Sequence, residues 1–172
     1  MRLRNFFYTV LIVLLVAVIV RAFFIDTFLV RGDSMTPTIN DGELVMINRL
    51  AYVGNIEPER GDIIVVHPRD SLKKIVKRVV GLSRDTLEFR DNSIIVRDDG
   101  VVVMAYKVGD KSEQNGTTTS KTFYETLDPK EYFVLGDNYA VSIDSRELDF
   151  VDKWDVKGRV FMILSTKSIR VL

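Results

Sequence analysis

Hydrophobic residues follow two unlike patterns along this chain. From Phe6 to Val20 (FFYTVLIVLLVAVIV) no charge interrupts the apolar run. Continued as a helix to Ile25, the stretch is roughly 30 Å long at about 1.5 Å per residue, one hydrocarbon thickness of a bilayer. Arg21 lies near one end, where a long stem lets the charge reach the headgroups. A cleaved secretory signal would need small residues just after the run. No A-x-A follows, and Phe23, Phe24 and Phe28 are bulky, so a retained transmembrane α-helix is expected. Arg2, Arg4 and the amine of Met1 precede it, and Arg21 is the only base close behind. The positive-inside rule then sets the N-terminus in the cytoplasm and residues from about 26 onward outside, with Arg21 partly offsetting the bias. No second long apolar run follows, so one crossing is expected.

Beyond the anchor the pattern shortens to β-branched runs: Glu43–Ile47, Asp62–Val66, Ile75–Val80, Ser93–Arg97, Val101–Tyr106, Tyr132–Leu135 and Arg159–Leu164. Turn formers stand between them, and Asp98-Asp99-Gly100 between two Val/Ile runs predicts a hairpin. No long amphipathic helix appears outside the anchor. The expected fold is an all-β domain, compact and multi-stranded, sandwich-like or barrel-like. It divides the chain into an anchor region, 1–27, and an extracytoplasmic domain, 28–172. Lys111–Lys121 (KSEQNGTTTSK) holds no apolar residue and is expected to be an exposed loop.

Composition narrows the chemistry. The 172 residues contain no cysteine, which removes disulfides, thiolate nucleophiles and cysteine metal sites. Three of the 24 basic residues precede residue 26, leaving 21 bases against 24 acids in the rest. That mildly acidic balance, without a basic stripe, argues against nucleic-acid binding. No metal-ligand spacing occurs, and no cofactor is implied.

The single histidine, His67, precedes a proline at a strand end and reads as a solvated loop residue. A serine would therefore need another base. Lysine serves if burial lowers its pKa from about 10.4 towards neutrality. In Ile75-Val76-Lys77-Arg78-Val79-Val80 each strand face carries one cation, so alternation does not choose between a buried and a snorkelling lysine. Arginine stays charged and cannot act as a base; Lys77 can. Ser34 sits in the turn-rich Arg31-Gly32-Asp33-Ser34-Met35-Thr36-Pro37-Thr38, which suits either a surface turn or a hydroxyl presented to a cleft. The segment Gly136–Arg146 follows a strand and reads as a polar loop braced by an Asp144–Arg146 ion pair.

Four segments, in order, resemble the signature boxes of the bacterial type I signal peptidases. Ser34-Met35-Thr36-Pro37-Thr38-Ile39 is similar to S-M-x-P-T-L. Gly61-Asp62-Ile63-Ile64-Val65-Val66 is similar to G-D-[IV]-[IV]-V, and Lys77-Arg78-Val79-Val80-Gly81 to K-R-V-x-G. Gly136-Asp137-Asn138 with Ser142, Asp144, Ser145 and Arg146 fits G-D-N-x-x-x-S-x-D-S-R. About 98–130 has no counterpart and is expected to be a variable insertion. Two departures stand out. Gly81-Leu82-Ser83-Arg84-Asp85 replaces G-x-P-G-D, and positive φ suits glycine better than arginine. Gly32 stands where some branches carry a hydroxyl residue.

The resemblance implies a signal peptidase I that cleaves preproteins after A-x-A-like sites through an acyl-enzyme. Ser34 would be the nucleophile and neutral Lys77 the general base. Ser142 would orient the lysine, with Asp144 and Arg146 as braces. The Ser34 backbone amide and the Gly32 region would serve the oxyanion. Met35, Ile39, Ile75 and Val76 would line the pocket at the cut, and Phe28, Val30, Val45 and Ile64 its neighbour. Implied partners are preprotein signal peptides, the lipid bilayer of the bacterial cytoplasmic membrane and the secretion translocon. The rival implication is a non-proteolytic factor dedicated to pilus or surface-protein assembly, against which the retained Ser34 and Lys77 argue.

Overall fold

The computed structural model describes residues 2–69, 73–90, 93–107, 122–165 and 168–172. Lys111–Lys121 lies outside the described residues. Helix α1 spans Arg2–Phe23, and its side chains at 4–19 are exposed on every face. Among the described residues no helix is long and apolar enough to cross a membrane; side chains are described without a break only over 4–19. The helix also stops short of the expected Ile25. There the chain turns extended, because β1 (Ile25–Leu29) pairs antiparallel along its whole length with β2 (Leu44–Asn48).

All seven predicted runs form strands. After β2 come β3 (Ile63–Val66), β4 (Ile75–Gly81), β5 (Thr86–Arg90), β6 (Ser93–Asp98), β7 (Val101–Lys107), β8 (Phe123–Thr126), β9 (Glu131–Leu135), β10 (Val151–Asp152), β11 (Val156–Leu164) and β12 (Ile169–Val171). The predicted hairpin joins β6 to β7: Asp98 pairs with Val101, and Asp99 and Gly100 both take positive φ, the backbone of a type I′ turn. Five strands escaped the hydrophobic pattern. β1 continues the anchor's apolar run, β5 and β8 alternate with charged residues, and β10 and β12 are two and three residues long.

The large sheet has eight strands in the order β1-β2-β11-β3-β4-β9-β10, with β12 on the side of β11. A second sheet runs β7-β6-β5-β8. β1 and β10 end the large sheet without pairing to each other, so it curls but does not close as a barrel. Its irregularities sit at Val79/Gly81 in β4 and at Val156/Gly158 and Val160/Met162 in β11. Such bulges increase local twist and bend a strand.

Alternation on β3 and β4 sends side chains to two separate cores. Ile63, Val65 and Val76 join Val30, Met35, Ile39, Val45, Ile47, Val160 and Ile163 on one face. Ile64, Val66 and Val79 join Tyr132, Val134 and Val151 on the other. A third cluster, including Leu87, Val96 and Phe133, fastens the small sheet to β4 and β9. The loop carrying Ser34, Met35 and Ile39 therefore rests on one face of β3 and β4, while Lys77 leaves β4 from the other.

Candidate active site

Ser34 lies in the loop between β1 and β2. Gly32 takes φ +86°, a left-handed turn that glycine adopts without Cβ strain, and its amide donates to Asp41 Oδ1 at 2.7 Å. The loop is closed at its base by Val30 N–H to Glu43 O (2.9 Å) and Gly42 N–H to Val30 O (3.0 Å). Met35 and Ile39, both fully buried, plug its inner side into the core. The Ser34 carbonyl accepts the Asn138 amide at 3.0 Å. Among the described residues no acceptor takes the Ser34 amide itself. The Gly32 amide is committed to Asp41.

Lys77 is on β4 directly opposite Ile64 of β3, with Ile75 and Val79 on the same face. It is only 2 % exposed, and its Nζ lies 2.7 Å from Ser34 Oγ. Burial among apolar neighbours disfavours a charged ammonium. An amine in its neutral form at that distance is able to take the hydroxyl proton as the oxygen attacks an electrophile. Arg78, on the opposite face, meets Asp137 in a bidentate pair, Nε to Oδ1 at 2.8 Å and an η nitrogen to Oδ2 at 2.7 Å. The same guanidinium reaches Gly61 O at 2.9 Å. The two cations of the strand thus have different fates, which alternation alone could not decide.

The polar loop after β9 packs against the Ser34 loop. Gly136 lies so close to Ser34 that a Cβ there would stand 2.3 Å from Ser34 O and 2.2 Å from Ser142 Oγ. Ser142 and Asp144 are fully buried. Asp144 accepts Arg146 Nε at 2.8 Å and an η nitrogen at 2.9 Å, and the Gly136 amide at 3.0 Å. Burial pushes the Asp144 carboxyl up, but the Arg146 guanidinium, the Ser142 hydroxyl and the Gly136 amide outweigh it and hold it below the usual carboxylate range. Arg146 also donates to Tyr139 O (2.8 Å) and Ser142 O (3.3 Å), so one guanidinium ties the loop to itself. Asp144 caps the short helix α2 (Ser145–Leu148), and Ser145 Oγ accepts the Val134 amide at 3.0 Å. The expected Asp144–Arg146 pair is present.

The eight residues expected to line the two pockets are divided between two clusters, each pocket contributing one residue to the second. Phe28, Val30, Met35, Ile39, Val45 and Val76 share one cluster, whereas Ile64 and Ile75 belong to the cluster on the other face of the sheet. Met35, Ile39, Val45 and Ile64 are completely enclosed, so of the eight it is Phe28 and Ile75 that reach the surface. Sequence reasoning missed the roles of Arg78, Asp137 and Thr38. An adjacent Lys-Arg pair on one strand was the available signal, since its second cation also needs a partner when both faces are covered. The altered turn after β4 carries a backbone cost: Arg84 takes φ +72°, a conformation unfavourable by roughly 1–2 kcal/mol for a residue with a Cβ. It is held by Arg84 N–H to Leu127 O at 3.1 Å and by Asp85, whose carboxylate accepts the Leu82 amide at 2.5 Å. Among the described residues no group of acids or His67 gathers into a metal site.

A buried lysine amine in contact with a serine hydroxyl on a β scaffold is an arrangement in which an amine can serve as the base for a hydroxyl nucleophile. The profile of the family "Signal peptidase, peptidase S26" matches residues 3–165. Signal peptidase I of Bacillus licheniformis is 34 % identical over 153 residues, covering 87 % of this chain and 81 % of that protein. Signal peptidase IB of Staphylococcus aureus strain Mu50 is 31 % identical over 154 residues, covering 83 % and 78 %. A crystal structure of a signal peptidase I from Enterococcus faecalis V583 is 29 % identical and overlaps 60 % of this chain and 96 % of that one at a TM-score of 0.44. The chain belongs to the signal peptidase family, peptidase S26, on the strength of the sequence matches.

Proposed function

We propose that this chain is a membrane-anchored serine endopeptidase that removes signal peptides from secreted preproteins, with Ser34 as nucleophile and Lys77 as general base. The observation that carries the reading is the 2.7 Å contact between Lys77 Nζ and Ser34 Oγ, with the lysine 2 % exposed. Ser34 Oγ attacks the scissile carbonyl while Nζ takes its proton. The tetrahedral oxyanion is met by the Ser34 amide. Collapse breaks the C–N bond, Nζ returns the proton to the leaving amine, and an acyl-enzyme remains. Nζ then deprotonates a water that releases the signal peptide.

Ser142, placed beside Ser34 across Gly136, aims the lysine. Asp144 and Arg146 brace the loop that carries Ser142. An extended substrate adds as a strand between the nucleophile loop and β4, and small side chains of an A-x-A-like site fit the shallow surface near Phe28 and Ile75. The apolar run Phe6–Val20 anchors the chain in the cytoplasmic membrane with the N-terminus inside and the β domain outside. There the enzyme shares a surface with preproteins emerging from the translocon, which raises their effective concentration.

The test is cleavage of a peptide bearing an A-x-A site by detergent-solubilised protein, with the cut mapped by mass spectrometry. Ser34→Ala and Lys77→Ala are each expected to lower kcat by about 10⁴-fold or more, and the double variant no further, because the pair acts as a unit. Near wild-type cleavage by either single variant would remove the dyad.

A further inference from the structure

The nucleophile loop is held from a strand that lies outside every signature box. β12 pairs with β11, placing Arg170 beside Ile163, which in turn pairs with Val45 of β2. Residues paired across a sheet share a face, so Arg170 lies on the face of the sheet whose core holds Met35 and Ile39. From there its guanidinium crosses to the loop. One η nitrogen donates to Thr38 O at 2.7 Å and the other to Glu43 Oε2 at 2.5 Å. Glu43, itself buried, uses the same oxygen to accept the Asn40 amide at 2.9 Å. Both acceptors of Arg170 therefore belong to the segment that follows Ser34.

Inside that segment Met35 and Ile39 are anchored in the core, and the Thr36 amide and hydroxyl both reach Asp33 O, at 3.2 and 2.5 Å; the polar ties to the rest of the fold lie at its two ends. Met35 to Ile39 is a single turn, closed by Ile39 N–H to Met35 O at 2.9 Å. On its near side Ser34 O is tied to Asn138. On its far side Thr38 is gripped twice: Arg78 approaches the hydroxyl at 3.4 Å, a long contact, and Arg170 takes the carbonyl at 2.7 Å. The Arg170 bond is the shorter of the two and charge-assisted. Displacement of an attacking atom by about 1 Å can cost a hundredfold in rate.

We propose that Arg170 is a positioning residue for the Ser34 nucleophile: through Thr38 and Glu43 it sets the height of the Met35–Ile39 turn and hence the distance from Ser34 Oγ to Lys77 Nζ. This rests on Ser34 being the nucleophile. The alternative role is that of a counter-ion, neutralising the buried Glu43 carboxylate without setting geometry. The two roles separate in a double variant. Arg170→Gln strands the acid and frees Thr38 O; Arg170→Gln with Glu43→Gln removes the stranded charge, and the amide oxygen at position 43 still accepts Asn40 N–H, but Thr38 O stays free.

The experiment measures kcat and KM of the full chain in detergent on an A-x-A peptide, at a temperature well below each variant's Tm. Arg170→Gln is expected to lose about ten- to a hundredfold in kcat with KM within about twofold, because the substrate groove is untouched. Arg170→Lys, whose single head group can hold only one of the two acceptors closely, is expected to fall between it and wild type. The double variant is expected to stay as slow as Arg170→Gln. Recovery of wild-type kcat in the double variant, or an Arg170→Gln kcat within twofold of wild type, overturns the proposal. If Arg170→Gln does not fold, the double variant, which buries no unpaired charge, carries the same comparison. Ser34→Ala assayed alongside separates the two failures: activity retained there sinks the nucleophile assignment, whereas activity lost there and kept in Arg170→Gln sinks this inference alone.

Discussion

Gly136 shows how tightly single residues are specified around Ser34. Its missing side chain lets the Ser34 carbonyl and the Ser142 hydroxyl close to distances a Cβ would occupy. Backbone on one side and a buried side chain on the other leave a methyl group nowhere to go, so Gly136→Ala must shift the serine, the loop or both. The expected outcome is a loss of about a hundredfold in kcat with the far-UV circular dichroism unchanged. Wild-type turnover by that variant would show that the loop yields without moving Ser34. Arg84 is the opposite case, a residue tolerated at φ +72°, where glycine fits better.

Among the elements, the loop from β9 to α2 depends most on charge. Arg146 spans Asp144 and two carbonyls, and the carboxyl is held below the usual range. A lowered folded-state pKa means that the unfolded chain binds the proton more readily. The stabilisation is therefore complete above the ordinary carboxylate value of about 3.9 and fades as pH drops through the lower folded value. Denaturant titrations should show wild-type stability falling below about pH 4. Arg146→Gln leaves a buried unpaired carboxylate and is expected to cost about 3–5 kcal/mol near neutral pH. The gap between the two proteins should narrow in acid, once Asp144 is protonated in both. A gap independent of pH would mean that Arg146 acts through its carbonyl contacts alone.

For the whole molecule, the prediction concerns the two unlike halves of the hydrophobic pattern. The full chain is expected to remain with phospholipid vesicles through alkaline carbonate washing, while a chain beginning at Phe24 is released. Release of the full chain would show that Phe6–Val20 lies on a membrane rather than in it. The division of the cores frames the site: β3 and β4 are shared by two cores, and the Ser34 loop packed on one face meets Lys77, which leaves β4 from the other.

The sequence by itself determined a good deal: the seven main strands, the Asp99-Gly100 hairpin, the Asp144–Arg146 pair and the segments bearing Ser34 and Lys77. The strands, the hairpin and the ion pair follow from local physics, namely period-two alternation, turn conformations and charges two residues apart; the segments bearing Ser34 and Lys77 stood out only through their resemblance to the signature boxes. Tertiary structure decided the rest. Which of Lys77 and Arg78 is buried beside the serine depends on what covers each face of β4, and no window of sequence contains that. The division of the eight apolar pocket residues between two cores depends on how β3 and β4 share a sheet. Strands as short as β10 and β12 exist only because β9 and β11 are there to pair with them. Arg170 reaches Thr38 across 132 positions of sequence for the same reason: a long-range contact is fixed by sheet order, and sheet order is a property of the assembled fold.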